Sequence, residues 1–365
     1  GLCTSEPHQY TIDAARRVYN RTIPMNEEVL SMVDNQESFV LASRETADNP
    51  SSEIGAQKRF GHYRIIHRTE YEYHDAVNLC HNSSLLVPRS YKNLLTEQQC
   101  LSSTLQIAPR PDDEGRHIDF WGNNIHYFAI QQPHKSLVVT STSLVERTFN
   151  TPATNQFFLS SETWEKVVGL LRYPKASLDM SLYESLAEAS AYRFPSTLVA
   201  ISDDVHEYAL QSFTPERPLL EAVRDLVRQI YVDCEFVPGF TTISTPITEV
   251  LRERKGVCQD FAHLALGCLR SMGLAARYVS GYIETISPEG TERLIGADAS
   301  HAWIAVFVPQ WGWVEFDPTN NQLVREQHIA LGWGRDYGDV SPLKGVIMST
   351  AAAELSVSVD VMRLI

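Results

Sequence analysis

The sequence predicts an α+β protein in two parts, an antiparallel β-sandwich followed by a core in which a cysteine-bearing helix packs on an antiparallel sheet. Three observations carry this. Strand-like runs broken by turn residues fill the region from 61 to 150, apolar residues recur at helical spacing after Cys258, and apolar runs begin near Ala276, His301 and Trp313. A length of 365 residues is long for one core and fits two domains, 61–150 and 151–365, preceded by an extension over 1–60.

Within that extension, 11–19 and 26–33 carry helical patterning with Thr11 and Asn26 as caps, and 47–55 reads as a polar linker. From His62 the texture is β-rich, with strands expected over 63–73, 84–87, 101–107, 125–130 and 137–145. Gly122-Asn123-Asn124 marks a hairpin turn. His62, His67, His74 and His81 invite a metal assignment, but odd spacings within one strand send successive side chains to opposite faces, and no acidic or thiol partner sits at ligand spacing. Residues 150–155 form a linker into helices over 162–171, 182–192 and 219–231, and a short helix over 246–254 delivers the chain to Cys258. After the cysteine helix come strands over 276–283, 301–308 and 313–316, with a closing strand over 356–362.

Composition narrows the function. Hydrophobic content of 43% and charged content of 21% are those of a water-soluble globular chain. A net charge of −14 with a pI near 5.3 argues against nucleic acid or an anionic membrane surface as the main partner. No apolar run reaches the roughly 18 residues of a transmembrane helix, and the start of the chain lacks a basic segment followed by an apolar one. The six cysteines contain no C-x-x-C pattern, which fits a reducing compartment and a cytoplasmic location. Cys258 and Cys268 are ten residues apart on one helix, about 15 Å by helical rise, and so do not bridge.

The chemistry concentrates around Lys255-Gly256-Val257-Cys258-Gln259-Asp260. Phe261, Leu264, Ala265, Cys268, Leu269 and Met272 follow at three- and four-residue steps, and Gly273 is a C-terminal cap, so Cys258 lies in the first turn of an amphipathic helix. Free N–H groups and the helix dipole there favour a thiolate. Gly256 is expected to let the backbone turn sharply beside the Cys258 amide. Asp260 reads as a first-turn carboxylate matched to the dipole, in preference to a cleft-wall contact. His301 opens the strand Ile304-Ala305-Val306-Phe307-Val308, and Asp317 stands where Pro318 stops the next one. Alone, each has an ordinary structural explanation. In the order Cys, His, Asp they supply a thiol nucleophile, a base and a carboxylate that orients the base. Trp303, Trp311 and Trp313 read as core and cleft-wall aromatics.

The strings GVCQDFAHL, DASHAW and WVEFDPTN resemble the three signature blocks of the transglutaminase-like superfamily, in its bacterial branch of papain-like cysteine acyl-transfer enzymes. Gly334-Arg335-Asp336-Tyr337-Gly338-Asp339 opens a stretch similar to a further block of that branch, and the β-rich region resembles its N-terminal domain, so the likeness runs from about 60 to the end. The resemblance implies Cys258 as nucleophile, His301 as general base and acid, and Asp317 as orienting carboxylate. It implies a papain-like fold, with Gly256, Gln259, Asp260, Trp303, Arg335 and Asp336 lining or supporting the cleft; Arg335 and Asp336 are expected to form a buried pair in preference to a substrate clamp. The segment before Cys258 should form one cleft wall and hold a second oxyanion donor beside the Cys258 N–H. Acyl transfer through a thioester on protein or peptide amides follows, with hydrolysis ranked ahead of amine transfer and a silent binding module third. No cofactor is implied, and no acidic loop motif for calcium is present.

Overall fold

A computed structural model describes residues 58–152, 155–174, 180–285, 300–309, 311–348 and 352–364. The helices expected over 11–19 and 26–33 and the linker over 47–55 lie outside these residues. Seven strands come first: β1 (Lys58–Val77), β2 (Cys80–Ser84), β3 (Tyr91–Lys92), β4 (Thr96–Ala108), β5 (Asp113–Ile118), β6 (Asn124–Ile130) and β7 (His134–Asn150). In β7 buried and less buried positions alternate along most of the strand, as expected of a sheet with one face on a core. β5 escapes sequence patterning because Asp113-Glu114-Gly115-Arg116-His117-Ile118 is exposed throughout and pairs only at an edge. Gly122, at φ +78, closes the β5–β6 hairpin as expected.

The first sheet runs β3, β4, β7, β1; the second runs β5, β6, β2. Val77, Cys80, Phe128, Ile130, Leu137 and Val139 from both sheets share one apolar cluster, the interior of the sandwich. The histidines of this region have separate partners: His62 lies beside Glu146, His67 between Thr69 and Tyr282, His74 beside Glu354 and His81 against Tyr127.

The helical part comprises α1 (Gln156–Leu159), α2 (Trp164–Arg172), α3 (Met180–Ser190), α4 (Asp203–Leu210), α5 (Leu219–Asp233), α6 (Ile247–Glu253) and α7 (Cys258–Ser271). α4 is an addition to the sequence expectation, although its start is signalled locally: the Ser202 hydroxyl accepts from the Val205 N–H and Asp203 and Asp204 occupy the first turn. The core sheet is antiparallel, in the order β13 (Gln322–Leu323), β12 (Gly312–Asp317), β11 (Ser300–Val308), β10 (Ala276–Ile283), β14 (His328–Gly334). Ala302, Ile304, Val306, Val314 and Phe316 form the face that packs with Phe261, Leu264, Ala265, Cys268 and Leu269 of α7.

α7 is not the amphipathic helix expected. Every residue from Gln259 to Arg270 is buried, because α4, α5 and α6 cover the side away from the sheet. Its polar residues are therefore satisfied internally: His263 Nε2 accepts from the Tyr337 N–H at 3.2 Å, and Arg270 donates to the carbonyls of Tyr192 and Ala276. Gly273, at φ +82, ends the helix as expected.

The closing strand also differs from expectation. β16 (Ala353–Arg363) joins β1 in the first sheet of the sandwich, and β15 (Leu343–Ile347) joins β2 in the second. Backbone ladders carry no record of side-chain identity, so a strand's pattern does not name its partner. Amide side chains join the two parts further. Gln98 bonds both the carbonyl and the N–H of Ala330, and Asn123 does the same with Trp333, satisfying the outer edge of β14.

Candidate active site

The entry to α7 is built from Val257, whose extended backbone (φ −123, ψ 179) serves as N-cap. Asp260 Oδ2 accepts from the Val257 N–H at 2.8 Å and from the Thr241 hydroxyl at 2.5 Å, tying the helix start to the segment before it. Asp260 is thus a buried cross-link to the 237–246 wall rather than only a dipole-matched surface carboxylate. Burial raises its pKa to about 6 against the lowering effect of those two bonds. The requirement for glycine at 256 lies here as well. Gly256 pairs with Phe236 in the two-residue strands β9 (Lys255–Gly256) and β8 (Glu235–Phe236), and a Cβ would stand 2.8 Å from Asp260 Oδ2. No sharp turn is involved; the left-handed residue is Arg254, at φ +56.

Cys258 is half-buried, unlike the closed run of α7 that follows it. His301 is buried at the start of β11, and Asp317 is wholly buried at the end of the neighbouring β12. His301 Nε2 lies 2.8 Å from Asp317 Oδ2, and the Cys258 thiol is close enough to influence the charge of the same imidazole. With Nε2 held by the carboxylate, Nδ1 is the nitrogen left to exchange a proton with the thiol. Burial alone would lower the His301 pKa, but the Asp317 charge and hydrogen bond, with Cys258, push it up to about 10. Burial would raise the Asp317 pKa, yet His301 and His328 hold it well below the usual carboxylate range. Asp317 Oδ1 also accepts from the N–H groups of Thr319 and Asn320, at 2.9 and 3.2 Å.

Two further groups on this carboxylate escaped sequence reasoning. His328 Nε2 lies 3.0 Å from Asp317 Oδ2, and Asn320 Nδ2 donates to that oxygen at 2.7 Å. Asn320 falls inside the WVEFDPTN block and was readable there; His328 had no local signal. His301, Asp317 and His328 form a compact group of metal-type donors, but the ring nitrogens converge on one carboxylate oxygen at hydrogen-bond distance, which is the geometry of a proton-sharing network.

The other expected residues are placed as follows. Gln259 is buried and its amide points toward the Ile243 carbonyl at 3.5 Å. Trp303 is fully buried, donates to Glu315 Oε1 at 3.1 Å and packs near the rings of His301 and His328. Arg335 and Asp336 do not pair with each other. Arg335 forks onto Asp339, while buried Asp336 accepts from the N–H groups of Leu198 and Gly338. Adjacent residues leaving a strand diverge, and the turn that follows it brings Asp339 back under the guanidinium.

A cysteine at a helix mouth, a histidine at a strand start and an aspartate on the next strand are thus brought to one place by the fold. The chain belongs to the transglutaminase-like superfamily: residues 63–146 match the bacterial transglutaminase-like N-terminal region, and residues 207–318, which contain Cys258, His301 and Asp317, match the transglutaminase-like superfamily core. An uncharacterized protein of Mycobacterium tuberculosis is 42% identical over 304 residues, 82% of this chain and 92% of that protein. One from Mycobacterium leprae is 33% identical over 301 residues, 82% and 98% of the respective chains. A candidate cysteine protease from Cytophaga hutchinsonii shares the fold, with a TM-score of 0.63 and 19% identity over 85% of this chain and 93% of that one. Among the described residues no helix is long and apolar enough to cross a membrane.

Proposed function

We propose that this protein is a thiol-dependent acyl-transfer enzyme acting on amide bonds of proteins or peptides. The observation that carries the proposal is the line Cys258, His301, Asp317, with the imidazole held from its Nε2 side and open to the thiol on the other. Cys258 is the nucleophile. In the resting pair His301 already holds the thiol proton as an imidazolium, the Cys258 thiolate attacks the amide carbon, and the Cys258 N–H at the mouth of α7 stabilises the oxyanion. The imidazolium then protonates the departing amine or ammonia and leaves a thioester on Cys258. Asp317 keeps the ring oriented and stabilises its charged form. Five described cysteines are unpaired, which supports a reducing, cytoplasmic setting.

Hydrolysis of the thioester is the preferred outcome, since water needs no second binding site. Amine transfer is the second reading, favoured by a 67-residue stretch 36% identical to a protein-glutamine gamma-glutamyltransferase of Pseudomonas aeruginosa, which covers 18% of this chain and 10% of that protein. The test is mass spectrometry of a glutamine-rich protein incubated with the enzyme and a primary amine, with Cys258→Ala as control. Cys258-dependent cleavage or deamidation supports hydrolysis. A Cys258-dependent amine adduct makes the protein a transferase, and products indifferent to Cys258 end the thiol mechanism.

A further inference from the structure

The face of the core sheet that carries His301 and Asp317 turns toward the sandwich, and its far end holds a second polar centre. Asp317 and Trp313 lie four residues apart on β12, on the same face and separated by roughly 13 Å of strand. At the Trp313 end a cavity of about 410 Å³ opens between the sheet, α3 and the 89–94 segment. Trp311, Trp313, Trp333 and Phe307 contribute its aromatic walls, and Arg277, Arg89 and, already paired with Glu97, Lys92 its positive charge.

Arg277 is the unusual residue. It is only 3% exposed, and its Nε is buried with no hydrogen-bond partner. Its guanidinium carbon lies 3.6 Å from the Trp333 ring centroid and 4.2 Å from that of Trp313. Arg89 lies against Trp333 as well, at 3.7 Å, and directs its hydrogen bonds to the neutral oxygens of Trp121 and Asn123. Among the described residues neither arginine has a carboxylate within ion-pair distance.

Taking a guanidinium out of water with only the longer-range attraction of Glu315 to offset it is costly, and the faces of this one are taken up by indoles. What remains for a partner is the planar N–H edge, whose fork matches a carboxylate or phosphate held by two parallel hydrogen bonds. The walls ask for a flat apolar body attached to that anion. Glu188 on the rim counts against a dianion and favours a single negative charge.

The geometry points to a carboxylate-binding site at this cavity, separate from the thiol centre, which takes a small aromatic or apolar monocarboxylate with its charge on Arg277 and its body against Trp313 and Trp311. The inference does not depend on which acyl-transfer reaction the thiol centre performs.

The experiment is a tryptophan-fluorescence titration of the full chain with benzoate and, separately, inorganic phosphate, on the native protein and on Arg277→Met, Arg277→Lys and Cys258→Ala. Arg277→Met keeps the side-chain stem and removes a buried charge that has no contact ion pair, so it should fold with a Tm close to that of the native protein, measured alongside. Expected is saturable benzoate binding that Cys258→Ala retains, Arg277→Met weakens at least tenfold and Arg277→Lys weakens less, with phosphate binding more weakly. Saturable binding unaffected by Arg277→Met, loss of binding in Cys258→Ala, preference for phosphate, or no saturation with benzoate would each overturn the assignment.

Discussion

His328 Nε2 lies 3.0 Å from Asp317 Oδ2, the oxygen that also engages His301 at 2.8 Å. Burial lowers the His328 pKa, so near neutral pH this ring is uncharged and serves the carboxylate as an N–H donor, while His301 carries the positive charge. One aspartate is thereby fixed from two strands, β11 and β14, that lie on either side of β10 in the sheet.

His328→Leu removes one donor from a fully buried carboxylate and should cost about 1–3 kcal/mol of unfolding free energy. His328→Gln, which can still donate, should cost less. Urea denaturation of both variants at pH 7 checks the order; a leucine variant as stable as the native protein would remove His328 from this role.

Alkylation kinetics separate the thiols. Cys258 and Cys100 are half-buried, while Cys80, Cys234 and Cys268 are buried. His301→Ala removes the base beside Cys258 and should slow its iodoacetamide alkylation at pH 7 by about tenfold or more, leaving Cys100 as an internal standard. Peptide mapping reads both sites, and equal slowing of the two would point to a general change in structure instead.

Asp260 imposes a pH dependence of known sign. Its folded-state pKa, raised by burial to about 6, exceeds the unfolded value near 3.8, so the folded state binds more protons in between. Its contribution to stability therefore falls as pH rises from about 4 to 6 and is flat above. Asp260→Asn removes that titration and can still accept from Val257 and Thr241. Subtracting its stability–pH curve from the native one isolates the effect from histidines that titrate in the same range; no difference in slope between pH 4 and 6 would contradict it.

Gly256→Ala places a methyl group 2.8 Å from Asp260 Oδ2 and 2.9 Å from its Cβ. Moving Asp260 disturbs the start of α7, so a loss of about 1–3 kcal/mol is expected. Thermal denaturation checks it. In Gly256→Ala combined with Asp260→Ala the penalty should shrink, since the crowded carboxylate is gone; full additivity would place the strain elsewhere.

Much of the fold was legible because the signals are local. Runs of strand-forming residues bounded by turns marked β1, β6 and β7, helical spacing marked α2, α5 and α7, and the Gly122 turn was placed correctly. Exposed β5 lacks an apolar face, and the short β13 leaves too few residues for a period to show. The amphipathic reading of α7 failed because its polar positions, among them His263 and Arg270, look solvent-facing in one dimension and find buried partners only when other elements close over them.

The sequence by itself determined which residue types meet at the candidate site and which local elements present them: a cysteine opening a helix, a histidine opening a strand, an aspartate before a proline. Tertiary structure alone decided who partners whom. It brought His328 to Asp317, gave Arg335 to Asp339 instead of Asp336, returned β15 and β16 to the sandwich, and left Arg277 between two tryptophans. The reason is physical: local conformation is set by backbone sterics and side-chain spacing along the chain, whereas a buried charge or a strand edge takes whichever partner packing brings within hydrogen-bond reach.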